Sequence, residues 1–196
     1  MGENDSCRLI HINLSKFVEN PFTDKAYINY SAIKDTAYMA MKLGDDLVDL
    51  ECEAIDRIIN VCDDPAEKAM WKDIYNVAVS GRRVGVGILG LADLLAKVNE
   101  VYGTSTSLDI IDEVMRTIMI GEIQATTDMA RTRGIFPGYD EEKENIRFYE
   151  LIHRIDQGSY YSLLKNKRRN LSFSTIAPTG SVAMLAQTSS GIEPTS

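Results

Sequence analysis

Apolar residues recur along this chain in two rhythms, one near every third or fourth position and one alternating or nearly continuous, which mark helices and short strands respectively. "CRLIHINL" sets Leu9, His11 and Asn13 against Arg8, Ile10 and Ile12, which predicts a strand headed by Cys7. After the loop "NPFTD", a helix is expected from Ser31 through "AIKDTAYMAMKL", stopping at Gly44, because glycine readily takes the left-handed conformation that closes helices. "DDLVDLECEAIDRIINVC" predicts a second helix with Leu47, Leu50, Ala54, Ile58 and Val61 on its buried stripe. At Asp64-Pro65-Ala66-Glu67 another helix starts: Asp64 can cap free N–H groups, Pro65 suits the first position, and Glu67 sits where a capping-box acid belongs. That helix is expected to reach about Ser80. A further one runs from about Asp109 to Arg131, preceded by "GTSTS" and closed by Gly134 and Pro137, and others lie near 141–155 and 159–168. A β-prone run at 172–176 meets Pro178-Thr179-Gly180-Ser181, and an apolar helix follows. The pattern is that of a helix-rich α/β chain without internal repeats or a long linker.

Composition narrows the function. With 44% hydrophobic and 26% charged residues, the 196-residue chain has the profile of one globular domain. No apolar run approaches the roughly 18 residues that span a bilayer, so no membrane partner is expected. The polar start "MGENDSCRLI" is not a signal peptide, and Met1-Gly2 with Ser6 fits an acylation pattern only in part. A net charge of −8 argues against nucleic-acid binding, which needs a basic face, but leaves room for one nucleotide held by local donors. Cys7, Cys52 and Cys62 form neither an even disulfide framework nor a CxxC pair, and two histidines do not make a metal site. Cys52 and Cys62, ten residues apart on one expected helix, would stand about 15 Å apart along its axis. A cytoplasmic location and no metal are expected.

Three stretches carry candidate chemistry. "GVGILG", at 85–90, matches a dinucleotide fingerprint by letter, yet the β-prone Val84, Val86 and Ile88 lie among its glycines. No acidic residue follows at the distance the ribose needs, so the glycines read as close backbone packing in a buried strand. A Rossmann-type dehydrogenase would have to bind NAD, and none is expected to bind. The basic "NKRRN" at 166–170 reads as a solvated helix C-terminus that complements the dipole, with phosphate neutralisation as the other reading. In "IAPTGSVAMLA", Pro178 stops the strand, Gly180 lets backbone approach a ligand, and Thr179 and Ser181 bring hydroxyls. The free N–H groups of Gly180, Ser181 and Val182 would face outward as a phosphate cradle, although Thr or Ser before an apolar helix is also ordinary capping.

Taken in order, "CRLIHINLSKFV", "DDLVDLECEAIDRII", "GRRVGVGILGLADLL" followed by "YG", "MARTRGIFPGYD" and "IAPTGSVAMLAQTSSGIEP" resemble the catalytic subunit of ribonucleotide reductases over residues 6–196. The "PTGS" form of the loop is most similar to the class II, adenosylcobalamin-dependent enzymes. The resemblance implies part of a ten-stranded α/β barrel, with the whole chain, 1–196, as one fragment of the catalytic barrel domain. It implies reduction of a ribonucleoside di- or triphosphate by thiyl-radical chemistry, with adenosylcobalamin as cofactor and a thioredoxin-type reductant as partner. Pro178, Thr179, Gly180, Ser181 and Val182 would hold the substrate phosphates, and Cys7, at the head of "CRLxxxNL", matches a redox cysteine that forms a disulfide during turnover.

The family's Asn-x-Cys-x-Glu motif, which carries the thiyl cysteine, would precede the segment matching "DSCRL", and Met1 stands only six residues before Cys7. The chain is therefore expected to be a middle piece, inactive alone and dependent on a complementing polypeptide that carries that cysteine. The alternative is a non-catalytic remnant that still binds nucleotide or a partner.

Overall fold

A computed structural model describes residues 3–194, so the Met1-Gly2 end of the acylation pattern lies outside the described residues. The elements in order are β1 (Arg8–Asn13), β2 (Val18–Glu19), β3 (Tyr27–Ile28), α1 (Tyr30–Val61), α2 (Pro65–Gly81), β4 (Val84–Leu89), α3 (Leu91–Lys97), α4 (Ser105–Arg133), α5 (Ile146–Ile155), α6 (Gln157–Asn166) and α7 (Gly180–Ala186). Short 3-10 turns occupy Leu14–Lys16 and Glu141–Lys143. The fold is helix-rich α/β, as the apolar rhythms predict. β1 pairs with β4, and β2 pairs antiparallel with β3, so the described strands form two open two-stranded sheets.

Several starts and stops follow local chemistry. Asp64 accepts hydrogen bonds from the N–H groups of Ala66 and Glu67 at 2.8 and 2.9 Å, and Pro65 takes the first turn of α2. Glu67 does not close a reciprocal capping box; its carboxylate accepts from the Trp71 indole instead, at 3.2 Å. α4 begins earlier than the apolar rhythm suggests, because Thr104 Oγ1 accepts from the Ser107 N–H at 3.2 Å and turns the polar "GTSTS" run into cap and first turn. Gly134, at φ +89°, ends that helix as expected.

Two expectations for α1 fail. The helix runs unbroken through Gly44, whose place reflects packing and not termination: a Cβ there would stand 2.3 Å from Val84 Cγ1. The buried face also differs from the expected stripe. Leu50 and Val61 are 59% and 78% exposed, whereas Met41, Asp45, Val48, Cys52 and Ile55 are buried. Their spacing of three and four is still helical, but the stripe is rotated so that an aspartate sits on it.

By contact the chain divides into two compact units. The first comprises 3–8, Met41–Gly85 and Ile123–Phe173. Its core includes Val48, Ile123, Met129, Phe136, Ile152 and Leu163, and a large apolar side chain buried in this way contributes about 1.5–3 kcal/mol. The second comprises Leu9–Ala40, Val86–Glu122 and 174–194, and its core includes Leu14, Ile33, Leu91, Leu94, Leu95 and Ile118. The expected strand at 172–176 is reduced to one parallel bridge in the second unit, Val86 to Ser174, with the Thr175 N–H donating to the Val86 carbonyl at 3.0 Å.

Candidate functional site

The loop before α7 is built from the glycines of β4 outward. Every residue of β4 is buried, and a Cβ at Gly87 would meet His11 Cδ2 at 2.8 Å and the Thr175 carbonyl oxygen at 3.2 Å. Gly90 follows at φ +76°, where a side chain would stand 2.6 Å from Thr188 Oγ1 and 2.8 Å from Asn13 Oδ1. Gly87 and Gly90 of "GVGILG" thus serve close backbone packing, as the residue pattern suggested. Asn13 accepts from Ser15 N–H and Oγ at 3.1 and 2.7 Å, while the Gly90 N–H donates to the Ser189 carbonyl at 2.8 Å.

In the first turn of α3, Asp93 takes two hydrogen bonds on one oxygen. Thr188 Oγ1 donates to Oδ2 at 2.7 Å and the Ser189 N–H at 2.6 Å. Partial burial pushes this carboxyl up, but those donors outweigh it and hold it below the usual carboxylate range. Ser190 Oγ then lies 3.0 Å from Thr179 Oγ1.

Thr179 is the N-cap of α7, and its side chain makes no capping bond to the helix. Its hydroxyl is engaged with Ser190, its carbonyl accepts from the Ala183 N–H at 2.7 Å, and the residue is buried. The N–H groups of Gly180, Ser181 and Val182 occupy the first turn, where a helix offers them no acceptor. Gly180 has open space where a Cβ would stand, and Pro178, Ser181 and Val182 are exposed. Met184 and Leu185 of the same helix are 80% and 87% exposed.

Among the described residues of this second unit, buried polar atoms without a hydrogen-bonding partner lie on Glu122, His11 and Ser189. Both carboxyl oxygens of Glu122 are in this state, and burial raises its pKa well above the ordinary 4.5, offset only slightly by the nearby Ser174. His11 Nε2 is likewise buried and unpartnered, its ring lies against Gly87, and burial lowers the imidazole's pKa.

Cys7 belongs to the first unit. It immediately precedes β1, is partly exposed and carries no disulfide. Burial raises its pKa, and Arg8 and Arg83 pull it partly back. Arg8 pairs with Glu51, and Arg83 with Asp5. Cys52 is buried and Cys62 partly exposed, both as free thiols.

The basic run at 166–170 is not a solvated tail. Arg168 pairs with Glu144 at 2.5 Å and lies over the rings of Phe136 and Phe148. Arg169 reaches Asp45 Oδ2 at 3.3 Å, and Asn170, fully buried, donates to Asp45 Oδ1 at 3.0 Å. Arg82 and Arg133 complete the ring around Asp45 at 2.7 and 3.1 Å. The neighbouring carboxylates of Asp46 and Asp49 are neutralised from the same side by Arg133 and Arg82. On the face of α5 and α6, a cavity of about 700 Å3 is lined by Ile146, Tyr149, Glu150, His153, Arg154 and Tyr160. A second, of about 200 Å3, is bordered by Tyr139, Leu164 and Lys167.

Asp93, Asn13 and Ser190 were not singled out by the sequence pattern. The available signal for Asp93 was an acid in the first turn of a helix that opens on glycine, combined with the hydroxyl-rich "TSSG" run far along the chain.

Comparison with known proteins decides the family. The family described as "Ribonucleotide reductase, barrel domain" matches residues 2–196. The chain belongs to that family. A vitamin B12-dependent ribonucleoside-diphosphate reductase of Thermoplasma acidophilum is 31% identical over 193 residues, covering 97% of this chain and 20% of the relative. The enzyme of the same description from Mycobacterium tuberculosis is 24% identical over 190 residues, 97% of this chain and 22% of the relative. A ribonucleoside-diphosphate reductase subunit alpha of Helicobacter pylori is 26% identical over 210 residues, 98% of this chain and 23% of the relative. The reductase barrel segment described here spans about a fifth of the length of these relatives.

Proposed function

We propose that the chain is one fragment of the catalytic barrel domain of a ribonucleotide reductase, contributing the substrate-phosphate loop and one redox thiol. The observation that carries this reading is the uncapped start of α7. With the Thr179 hydroxyl turned to Ser190, the N–H groups of Gly180, Ser181 and Val182 are left for an external acceptor, and the Ser181 hydroxyl is exposed beside them. Oxygens of a nucleotide's phosphate tail suit such donors, and the positive end of the helix dipole favours their charge. Pro178 sets the entry to the loop, and Thr179 shapes it from beneath.

Cys7 is the proposed redox thiol. Its raised pKa keeps it protonated near neutrality, in the form that supplies hydrogen together with an electron. In the reaction class proposed, two thiols become one disulfide, the ribose C2′–O bond gives way to C2′–H, and the oxygen leaves as water. The second thiol, the thiyl cysteine and a thioredoxin-type reductant lie outside residues 1–196 in this reading. The assembled enzyme would form the ten-stranded barrel in the cytoplasm. Adenosylcobalamin, the cofactor suggested by the vitamin B12-dependent relatives, would start the radical chemistry. The two cavities on the α5–α6 face are lined by tyrosines and charged side chains, and no step is assigned to that group through residues of this chain.

The test is binding of a ribonucleoside diphosphate, CDP, by the 196-residue chain, followed by ³¹P NMR. Wild type is expected to broaden and shift the phosphate signals, and Thr179→Val with Ser181→Ala to weaken binding about tenfold, Ser181→Ala by losing a hydrogen bond to the charged tail and Thr179→Val by losing the Ser190 contact that shapes the loop. Unchanged binding in the double variant would remove the basis for the reading. Binding with no deoxynucleotide formed on mixing with a polypeptide that carries Asn-x-Cys-x-Glu, adenosylcobalamin and dithiol would favour the remnant alternative.

A further inference from the structure

We infer that Asp93 is the positioning residue of the phosphate loop, holding α7 at both ends through the segment Thr188-Ser189-Ser190. The inference rests on the phosphate reading above and adds to it a residue that does not touch the substrate.

α7 has only seven residues, and a helix that short does not hold itself together in water. Its exposed apolar side chains bring it little packing, since Ala183 is its only core residue among those described. Something outside the helix must therefore fix where its first-turn N–H groups point. The segment that follows it does so. At the C-terminal end, the Thr188 N–H donates to the Ala183 carbonyl at 3.1 Å. At the N-terminal end, Ser190 Oγ meets Thr179 Oγ1 at 3.0 Å.

That segment is itself anchored at three points to the start of α3. Asp93 Oδ2 holds the Thr188 hydroxyl at 2.7 Å and the Ser189 N–H at 2.6 Å, and the Ser189 carbonyl accepts from the Gly90 N–H at 2.8 Å. α3 is a stiff base for this purpose, because Leu91, Leu94 and Leu95 are all buried. Gly90 must lack a side chain for the approach to occur, since a Cβ would stand 2.6 Å from Thr188 Oγ1.

The arrangement also accounts for the choice of acid. A carboxylate oxygen accepts two short bonds at once with full charge, which an amide oxygen does only as a weaker neutral acceptor. Asp93 then works at a distance: it secures the segment, the segment takes up the Thr179 hydroxyl, and the loss of that hydroxyl as a cap leaves the backbone donors open. The Ser190–Thr179 contact is the link through which the carboxylate reaches the loop.

The experiment measures inorganic pyrophosphate binding to the full chain by ³¹P NMR for wild type, Asp93→Ala, Asp93→Asn and Ser190→Ala, with the thermal midpoint of each. Asp93→Ala is expected to weaken binding about tenfold, and Asp93→Asn and Ser190→Ala about threefold each. Amide exchange at residues 180–182 should quicken in all three, and the midpoint of Ser190→Ala should stay at the wild-type value. Partial recovery from Asp93→Ala to Asp93→Asn separates positioning from mere support of the fold. If Asp93→Ala does not fold, the other two variants decide. Wild-type affinity in Asp93→Asn and Ser190→Ala, while Thr179→Val with Ser181→Ala still loses binding, would overturn the inference and leave the phosphate reading standing. No binding by wild type would overturn both.

Discussion

Asp45 in the first unit and Glu122 in the second are both completely buried, yet they stand in opposite states of charge. Around Asp45, Arg82, Arg133, Arg169 and Asn170 supply donors to both carboxylate oxygens. Burial pushes its pKa up, but the arginines outweigh that cost and the acid stays ionised below its ordinary 3.8. Glu122 has the same burial without such donors, and it keeps its proton well above 4.5. Depth alone therefore does not determine whether a carboxyl is charged; the donors brought to it do.

The largest effect should come from removing the paired acid. Asp45→Ala would leave Arg82 buried beside an empty place, and a broken buried pair costs about 3–5 kcal/mol. Urea unfolding at neutral pH measures it, and a loss below about 1 kcal/mol would mean that the arginines are well served by water.

An intermediate effect of opposite sign is expected at the unpaired acid. Because the folded form of Glu122 holds its proton more tightly than the unfolded chain, its contribution is intact below about pH 4.5 and is lost as pH rises toward its raised folded value. Glu122→Gln should thus match wild type near pH 4 and become increasingly more stable than wild type toward pH 8. Asp45 has the reverse dependence: its contribution is full above about pH 3.8 and is lost as pH falls through its depressed folded value. Parallel stability curves for Glu122→Gln and wild type between pH 4 and 8 would show that Glu122 is not a buried neutral acid.

The smallest effect belongs to a pair that has partners but no burial. Arg57 and Glu53 lie one helical turn apart, with side chains 78% and 62% exposed. Arg57→Ala should change stability by less than about 0.5 kcal/mol in the same urea experiment.

These contrasts also explain what could be read from the sequence. The start of α2 was legible because Asp64, Pro65 and the N–H groups they serve lie within four residues. The end of α4 at Gly134 was legible for the same reason. Asp45 was not, because the arginines that make its burial possible lie 37, 88 and 124 residues away along the chain. Without them, an aspartate on the buried stripe of α1 contradicts every local preference, and so the expected stripe fell on the wrong face. The loop at Thr179 was visible as a turn of proline, glycine and hydroxyls. The acid proposed to position it was not, since Asp93 meets Thr188 and Ser189 across 95 and 96 residues.

Gly44 carries a consequence for how this sequence can drift. The position looks free to mutate, since glycine inside a helix costs about 1 kcal/mol relative to alanine and most changes there would gain helix propensity. The Val84 methyl that would lie 2.3 Å from any new Cβ denies that gain. The two sites are locked in history: a larger residue at 44 becomes acceptable only after 84 has shrunk, and a chain that shrinks 84 first passes through a stage with a hole beside its most heavily charged helix turn.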